Sequence, residues 1–335
     1  MRKTFDLGNV VTAMVTPFSD NELMDFVGAG DLALHLVRTG SDSLLLAGST
    51  GEAAQLSDDE KWALIDHVRT VLSKDSQAKD TKIMVAVGNQ NAEKAAQSAQ
   101  LAFSKWGADA ILCAPPPYIK PPQSSLVKYF DTIAKAVPDK PVYLYNIPGR
   151  TAVEILPETV VEIASANPNI IGIKQSMGDM DKVSELRSLL DEASKSKSPA
   201  KKDLSNFQIY SGDDSLTLPM LALGARGVIS VASHLEGQLI HQMINSFNRG
   251  DIKQAREIHT LLFPLYKALF MTTNPIPVKA ALHLRGLIQS PALRTLLPLN
   301  AQQQEDLKNR LCQFNRTKSA YVKQNPILQA AHVRD

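Results

Sequence analysis

The chain has 335 residues, is 44% hydrophobic, and sets 36 basic against 34 acidic side chains for a net charge of +2. So even a balance gives no electrostatic pull toward nucleic acid or another polyanion, and two widely separated cysteines, Cys113 and Cys312, make no disulfide framework. No apolar stretch is long enough to span a bilayer, and residues 1–9 lack the apolar core of a signal peptide. The expectation is therefore a soluble cytoplasmic protein, with no membrane or nucleic-acid partner.

Short β-branched runs begin near Asn9, Ser43, Lys82, Asp109, Pro141, Ile170, Phe207 and Arg226. They recur roughly every 30 residues, the length of one strand–helix unit. Helical patterns fill the gaps. Ser57 and Glu60 have the spacing of a capping box, Asn91 precedes a second helical run, and Pro157 sits in the first turn of a third. Eight such units predict a (β/α)8 TIM barrel, of class α/β, over residues 1–236. An open doubly wound sheet would carry a glycine-rich phosphate turn after its first strand, where this chain has Val15-Thr16-Pro17-Phe18. Residues 192–206 are polar and lysine-rich, the composition of a solvated insertion rather than of a basic binding patch. Beyond the eighth strand the pattern is wholly helical, with apolar spacing over Asp251–Phe270, Pro277–Gly286 and Ala301–Gln313. That predicts a C-terminal helical appendix over 237–315, followed by a mobile tail over 316–335.

In a barrel of this kind catalytic groups sit at the C-terminal ends of the strands. After strand two, Gly48-Ser49-Thr50-Gly51-Glu52 brackets two hydroxyls with glycines, a turn able to offer backbone N–H groups and hydroxyls to one carboxylate. An ordinary turn capping the next helix would read the same way. After strand four, Ala114-Pro115-Pro116-Pro117-Tyr118 is a stiff arm suited to projecting Tyr118 away from its own barrel. Strand five ends in Tyr143-Leu144-Tyr145-Asn146, with both tyrosines on one face by alternation. Each is either a proton donor or a satisfied core tyrosine. Arg150 follows a Pro-Gly turn, and its planar fork suits a carboxylate.

Strand six, Ile170-Ile171-Gly172-Ile173-Lys174-Gln175, reads as a buried parallel strand with a lysine near its end. Burial favours the neutral amine, which is a nucleophile for carbonyl carbon and can form a Schiff base. A lone lysine in such a place more often snorkels to solvent. Strand seven ends in Ser211-Gly212-Asp213-Asp214 and strand eight is Gly227-Val228-Ile229-Ser230. Two aspartates where this fold often binds phosphate would repel one, which favours an unphosphorylated, carboxylate-bearing substrate. The seven histidines show no metal-ligand spacing, so no metal is expected.

Taken together these motifs resemble the dihydrodipicolinate synthase / N-acetylneuraminate lyase family of pyruvate-dependent class I aldolases. The resemblance runs over residues 8–297. It is carried by Gly48–Glu52, Tyr145-Asn146-Ile147-Pro148-Gly149-Arg150-Thr151, Gly172-Ile173-Lys174, Ser211–Asp214 and Asn274-Pro275-Ile276-Pro277-Val278-Lys279, in order and spacing. It implies condensation of pyruvate with aspartate semialdehyde in lysine and diaminopimelate biosynthesis, with no cofactor beyond the covalent lysine–pyruvate Schiff base. By the same resemblance Lys174 forms that Schiff base. Tyr145 relays protons, Ser49 and Tyr118 complete the relay, and Tyr118 comes from a neighbouring subunit of a homotetramer built as a dimer of dimers. Thr50 holds the pyruvate carboxylate, Gly212 and Ile229 line the pocket, and Arg150 receives the second carboxylate.

Ser49 stands where the synthases usually carry threonine, and serine there is common among the lyases; Gln175 replaces a usual glutamate. Pro148–Thr151 is the synthase pattern. The alternatives are a sibling aldolase acting on N-acetylneuraminate or a 2-keto-3-deoxy sugar acid, and a non-catalytic binding barrel. Positions matching the lysine site of lysine-inhibited synthases read Ala53, Asp58, Lys61, Gln90 and Lys94, with Pro117 in place of a tyrosine. Lys61 and Lys94 would repel a lysine ammonium, so feedback inhibition is expected to be weak or absent.

Overall fold

Eight short buried strands close on one another in sequence order. They are β1 (Val10–Ala13), β2 (Ser43–Leu46), β3 (Lys82–Val87), β4 (Ala110–Cys113), β5 (Val142–Asn146), β6 (Ile170–Gln175), β7 (Gln208–Ser211) and β8 (Gly227–Ser230), all parallel, with β8 returning to β1. Each begins within one residue of its expected position. The coordinates are a computed structural model that describes residues 5–195 and 203–325. The helices of the barrel are α1 (Phe26–Arg38), α2 (Asp58–Ser73), α3 (Ala92–Ser104), α4 (Gln123–Ala136), the single turn α5 (Pro148–Thr151), α6 (Pro157–Ala166), α7 (Met180–Lys195), α8 (Thr217–Ala222) and α9 (Ser233–Asn248). The start signals act as expected. Ser57 and Glu60 close a reciprocal capping box on α2, Asn91 accepts from the Lys94 amide at the start of α3, and Pro157 is the first residue of α6.

Strand alternation divides the apolar residues into two cores. Val10, Leu44, Leu46, Ile83 and Val85 face the helices, whereas Val11, Leu45, Met84, Leu112, Tyr143, Tyr145, Tyr210 and Ile229 fill the barrel. The interior is layered. Tyr143 lies at the floor, donating to Gln208 Oε1 at 2.8 Å, and Tyr210 donates to the Gly8 carbonyl at 2.8 Å. Gly172 is needed beside that floor, because a Cβ there would lie 2.6 Å from the Tyr143 ring. Tyr145 is one layer higher, at the mouth. Of the two tyrosines on one face, only Tyr145 reaches the end where chemistry is possible.

Three helices follow the barrel: α10 (Ile252–Leu269), α11 (Ile276–Leu284) and α12 (Ala301–Gln324). One expected boundary needs correction. The division at 236/237 falls at a kink within α9, where Glu236 (φ −142°, ψ 39°) leaves the helical region between two helical segments; the boundary at 315/316 is the one that moves. The tail expected from residue 316 is helical to Gln324. Its polar sequence hides the cause. Lys318 Nζ lies 2.8 Å from the buried Glu236 carboxylate, which Arg285 also approaches at 3.3 Å, and Tyr321 Oη lies 3.4 Å from Glu257. Within the polar stretch 192–206, α7 continues to Lys195 and Leu204 is buried, while 196–202 lie outside the described residues, as do 326–335.

Candidate active site

Lys174, on β6, pairs in register with Tyr145 on β5 and with Tyr210 on β7. It is 5% exposed, and its Nζ stands 4.5 Å from the centre of the Tyr145 ring. Desolvation works to raise the Tyr145 phenol, but the Lys174 charge and the neighbouring Ser176, Lys174 and Ser49 groups outweigh it and bring the phenol below its ordinary value. A phenol so placed gives up and regains a proton more readily than a free tyrosine. Gly212, past the end of β7, leaves the necessary room. A Cβ there would lie 1.9 Å from Ser176 Oγ and 3.0 Å from Lys174 Cε. Ile229, 1% exposed on β8, belongs to the same interior cluster as Tyr145.

The Gly48–Glu52 turn is braced both from the segment after β1 and from the C-terminal region. Thr16 Oγ1 donates to the Gly51 carbonyl at 2.7 Å, and Asn274 Nδ2 donates to Thr50 Oγ1 at 2.9 Å. The Asn274 carbonyl accepts from Arg150 Nη2 at 3.0 Å, so one residue touches both expected carboxylate contacts. Glu52, in the left-handed region at φ 56°, accepts from Lys279 Nζ at 2.6 Å and from the Arg294 amide at 2.9 Å. Lys279 is the other deeply buried lysine among the described residues. It also donates to the Ala292 carbonyl at 2.7 Å and lies 4.2 Å over the Phe18 ring. Burial lowers it to about 8 against the pull of Glu52. Its bonds are committed to holding the turn, whereas Lys174 faces a phenol and a glycine.

The structure thus brings together Lys174, Tyr145, Ser49, Gly212 and Ile229, and ties Thr50 to Arg150 through Asn274. Tyr118 is not brought to them. It is 84% exposed at φ 77°, a left-handed conformation that costs an aromatic residue free energy. Asp214 does more than repel anions. Its buried carboxylate accepts from the Val231 and Ala232 amides at 3.0 and 2.9 Å and from the Ser230 hydroxyl, filling the backbone nest after β8. Burial pushes it up to about 6. His234 completes that rim, with Nε2 accepting from the Val15 amide at 3.1 Å and Nδ1 set 2.8 Å from the Val231 carbonyl. Among the described residues no three His, Cys, Asp or Glu side chains converge as a metal site.

Sequence reasoning missed Ser176 and gave Asn274 no role. Ser176 was accessible through alternation, two residues beyond Lys174; Asn274 was already part of a recognised motif.

Barrel and mouth together define a (β/α)8-barrel enzyme of the lysine-dependent lyase type. Residues 6–314 match the dihydrodipicolinate synthetase family, and the chain belongs to that family. It is 46% identical to the 4-hydroxy-tetrahydrodipicolinate synthase of Nostoc punctiforme over 84% of this chain and 89% of that one. With the synthase of Desulforudis audaxviator the identity is 43%, over 91% and 97%. Among solved structures, the lysine-bound dihydrodipicolinate synthase of Cyanidioschyzon merolae superposes with a TM-score of 0.83 at 37% identity, covering 92% of this chain and 98% of that one. The Thermotoga maritima enzyme gives 0.84 at 33% identity, over 92% and 99%. No helix among the described residues is long and apolar enough to cross a membrane.

Proposed function

We propose that this protein is a cytoplasmic enzyme that condenses pyruvate with L-aspartate 4-semialdehyde to 4-hydroxy-tetrahydrodipicolinate, through a Schiff base on Lys174. The observation that carries the mechanism is the buried Lys174 amine set 4.5 Å over the Tyr145 ring at the barrel mouth. The neutral amine adds to C2 of pyruvate, and loss of water leaves an iminium. The iminium is the electron sink that makes the methyl carbon acidic, so no further cofactor is required. Loss of a methyl proton gives the enamine, whose carbon attacks the aldehyde and forms the new C–C bond. The resulting alkoxide takes a proton. The amino group of the former semialdehyde then attacks the iminium carbon, closes the ring and expels the Lys174 amine.

Tyr145 and Ser49 carry these protons, Thr50 and its backbone hold the pyruvate carboxylate, and Arg150 receives the carboxylate of the semialdehyde. Tyr118 serves a second copy of the chain in a homotetramer assembled from two dimers; its exposed, strained arm supports this. The barrel carries the chemistry, and Asn274, Lys279 on α11 and Arg294 brace the Gly48–Glu52 turn.

Borohydride reduction in the presence of pyruvate, followed by mass mapping, tests the mechanism. The expected adduct is on Lys174, absent in Lys174→Arg because a guanidinium stays charged. An adduct on Lys279 would overturn it. Turnover of aspartate semialdehyde against N-acetylneuraminate and 2-keto-3-deoxy sugar acids tests the acceptor, and preferential cleavage of a sugar acid would assign the sibling activity. Lysine feedback is expected to be weak or absent. Lys61 is paired with Asp58 at 3.2 Å, which leaves Lys94 as the main repelling charge. Inhibition by micromolar to low-millimolar lysine would contradict this.

A further inference from the structure

Ser176 stands just beyond β6. Its amide donates to the Asn146 carbonyl at 2.9 Å, which carries the β5–β6 ladder one step past Gln175 and keeps the alternation of the strand. Ser176 therefore shares the face of Lys174, two residues earlier. The direction of its side chain is fixed independently from β7. The point where a Cβ on Gly212 would stand is 1.9 Å from Ser176 Oγ and 3.0 Å from Lys174 Cε, so the hydroxyl overhangs the mouth beside the lysine stem. Among the described residues Ser176 Oγ is sealed from solvent and has no partner at full hydrogen-bond geometry. Buried hydroxyls ordinarily find a partner, and one left without a partner at rest points to a group that changes during turnover. The nearby group whose hydrogen-bonding needs change is the Tyr145 phenol, across the same strand pair. The charge acting on that phenol is Lys174, and the hydroxyls around it are Ser49 and Ser176.

We propose that Ser176 is a positioning residue of the proton relay, its hydroxyl donating to the Tyr145 oxygen when the phenol gives up its proton and holding that oxygen over the Lys174 amine. A neutral phenol has a proton of its own and gains little from a second donor. A phenolate gains a charge-assisted hydrogen bond. The contact is therefore stronger in the deprotonated state of the relay than in the resting one, which is the condition for lowering a barrier rather than tightening binding. The inference rests on the assignment of Lys174 and Tyr145 as the reacting pair.

The test reads the phenol directly. Ultraviolet difference titration of the wild type against Tyr145→Phe isolates one tyrosine among the seven of the chain. The same difference taken in a Ser176→Ala background shows what the hydroxyl does. In Ser176→Ala the Tyr145 ionisation is expected to move to higher pH. Condensation kcat should fall roughly tenfold with KM for pyruvate nearly unchanged, and Ser176→Thr should restore both. Borohydride trapping on Lys174 should persist in Ser176→Ala, showing an intact site. Coincident Tyr145 titrations with and without the Ser176 hydroxyl would overturn the proposal whatever happens to kcat. Failure to condense aspartate semialdehyde would count against the acceptor alone, because the titration requires no turnover.

Discussion

Asn274 Nδ2 donates to the Thr50 hydroxyl at 2.9 Å, joining residues 224 positions apart. The bond has a direction. A hydroxyl that accepts on one side turns its own proton away, which on the proposed reading directs that proton to the pyruvate carboxylate. The same residue accepts from Arg150 through its main-chain carbonyl. Side-chain substitution therefore separates the two carboxylate contacts. Asn274→Ala should raise KM for pyruvate roughly tenfold while leaving KM for aspartate semialdehyde nearly unchanged. Asn274→Asp should be worse, since it cannot donate and adds a repelling charge. Steady-state kinetics with each substrate varied in turn provide the check, and equal rises in both KM values would refute the directional argument.

The buried Lys279–Glu52 pair holds the turn that carries Ser49 and Thr50, with Lys279 fully inaccessible. Removing one partner strands the other charge in an apolar setting. Lys279→Met and Glu52→Gln should each destabilise the fold by about 3–5 kcal/mol. The double variant should recover part of that loss, because neither charge is then left unpaired. Denaturant unfolding of the four proteins measures it, and simple additivity of the two single losses would show that the pair does not act as a unit. Pyruvate trapping on Lys174 should survive in Lys279→Met below its unfolding temperature.

The strands were legible because each is a short, almost uniformly buried apolar run, and buried parallel strands carry little else. Lys174 was legible for the complementary reason, being a charge at the end of such a run. The links between distant segments were not. Nothing near Thr50 announces that Asn274 will meet it, and nothing near Ser176 announces that Gly212 will leave room for its hydroxyl. Residues 316–324 read as a loose tail because few of them are apolar. Their helix is held instead through Lys318 on Glu236 and Tyr321 near Glu257, partners that lie in helices far earlier in the chain. Local pattern reports which faces are apolar; it does not report which polar groups meet after folding.

His234 makes the rim between β8 and β1 sensitive to acid. It is fully buried, and desolvation lowers its pKa to about 4; the Val231 hydrogen bond opposes that shift and the charge of His35 adds to it. The folded chain therefore refuses a proton that the unfolded chain accepts below its ordinary value near 6.5. Stability from this group is fully present above about pH 6.5 and declines as pH falls toward 4, by about 3 kcal/mol in all. Asp214, raised to about 6, works in the opposite sense. Between its ordinary value and 6 the folded chain binds a proton more readily than the unfolded one, so protonation there favours folding. The two effects overlap, and the slope of the wild type alone does not separate them. His234→Gln does, because it removes the histidine and leaves Asp214 in place. Urea unfolding at pH 7 and pH 4.5 should show a larger loss in the wild type than in His234→Gln, by about 2 kcal/mol, although the variant starts less stable at pH 7. Parallel pH dependence in the two proteins would show that His234 is not the acid-sensitive group.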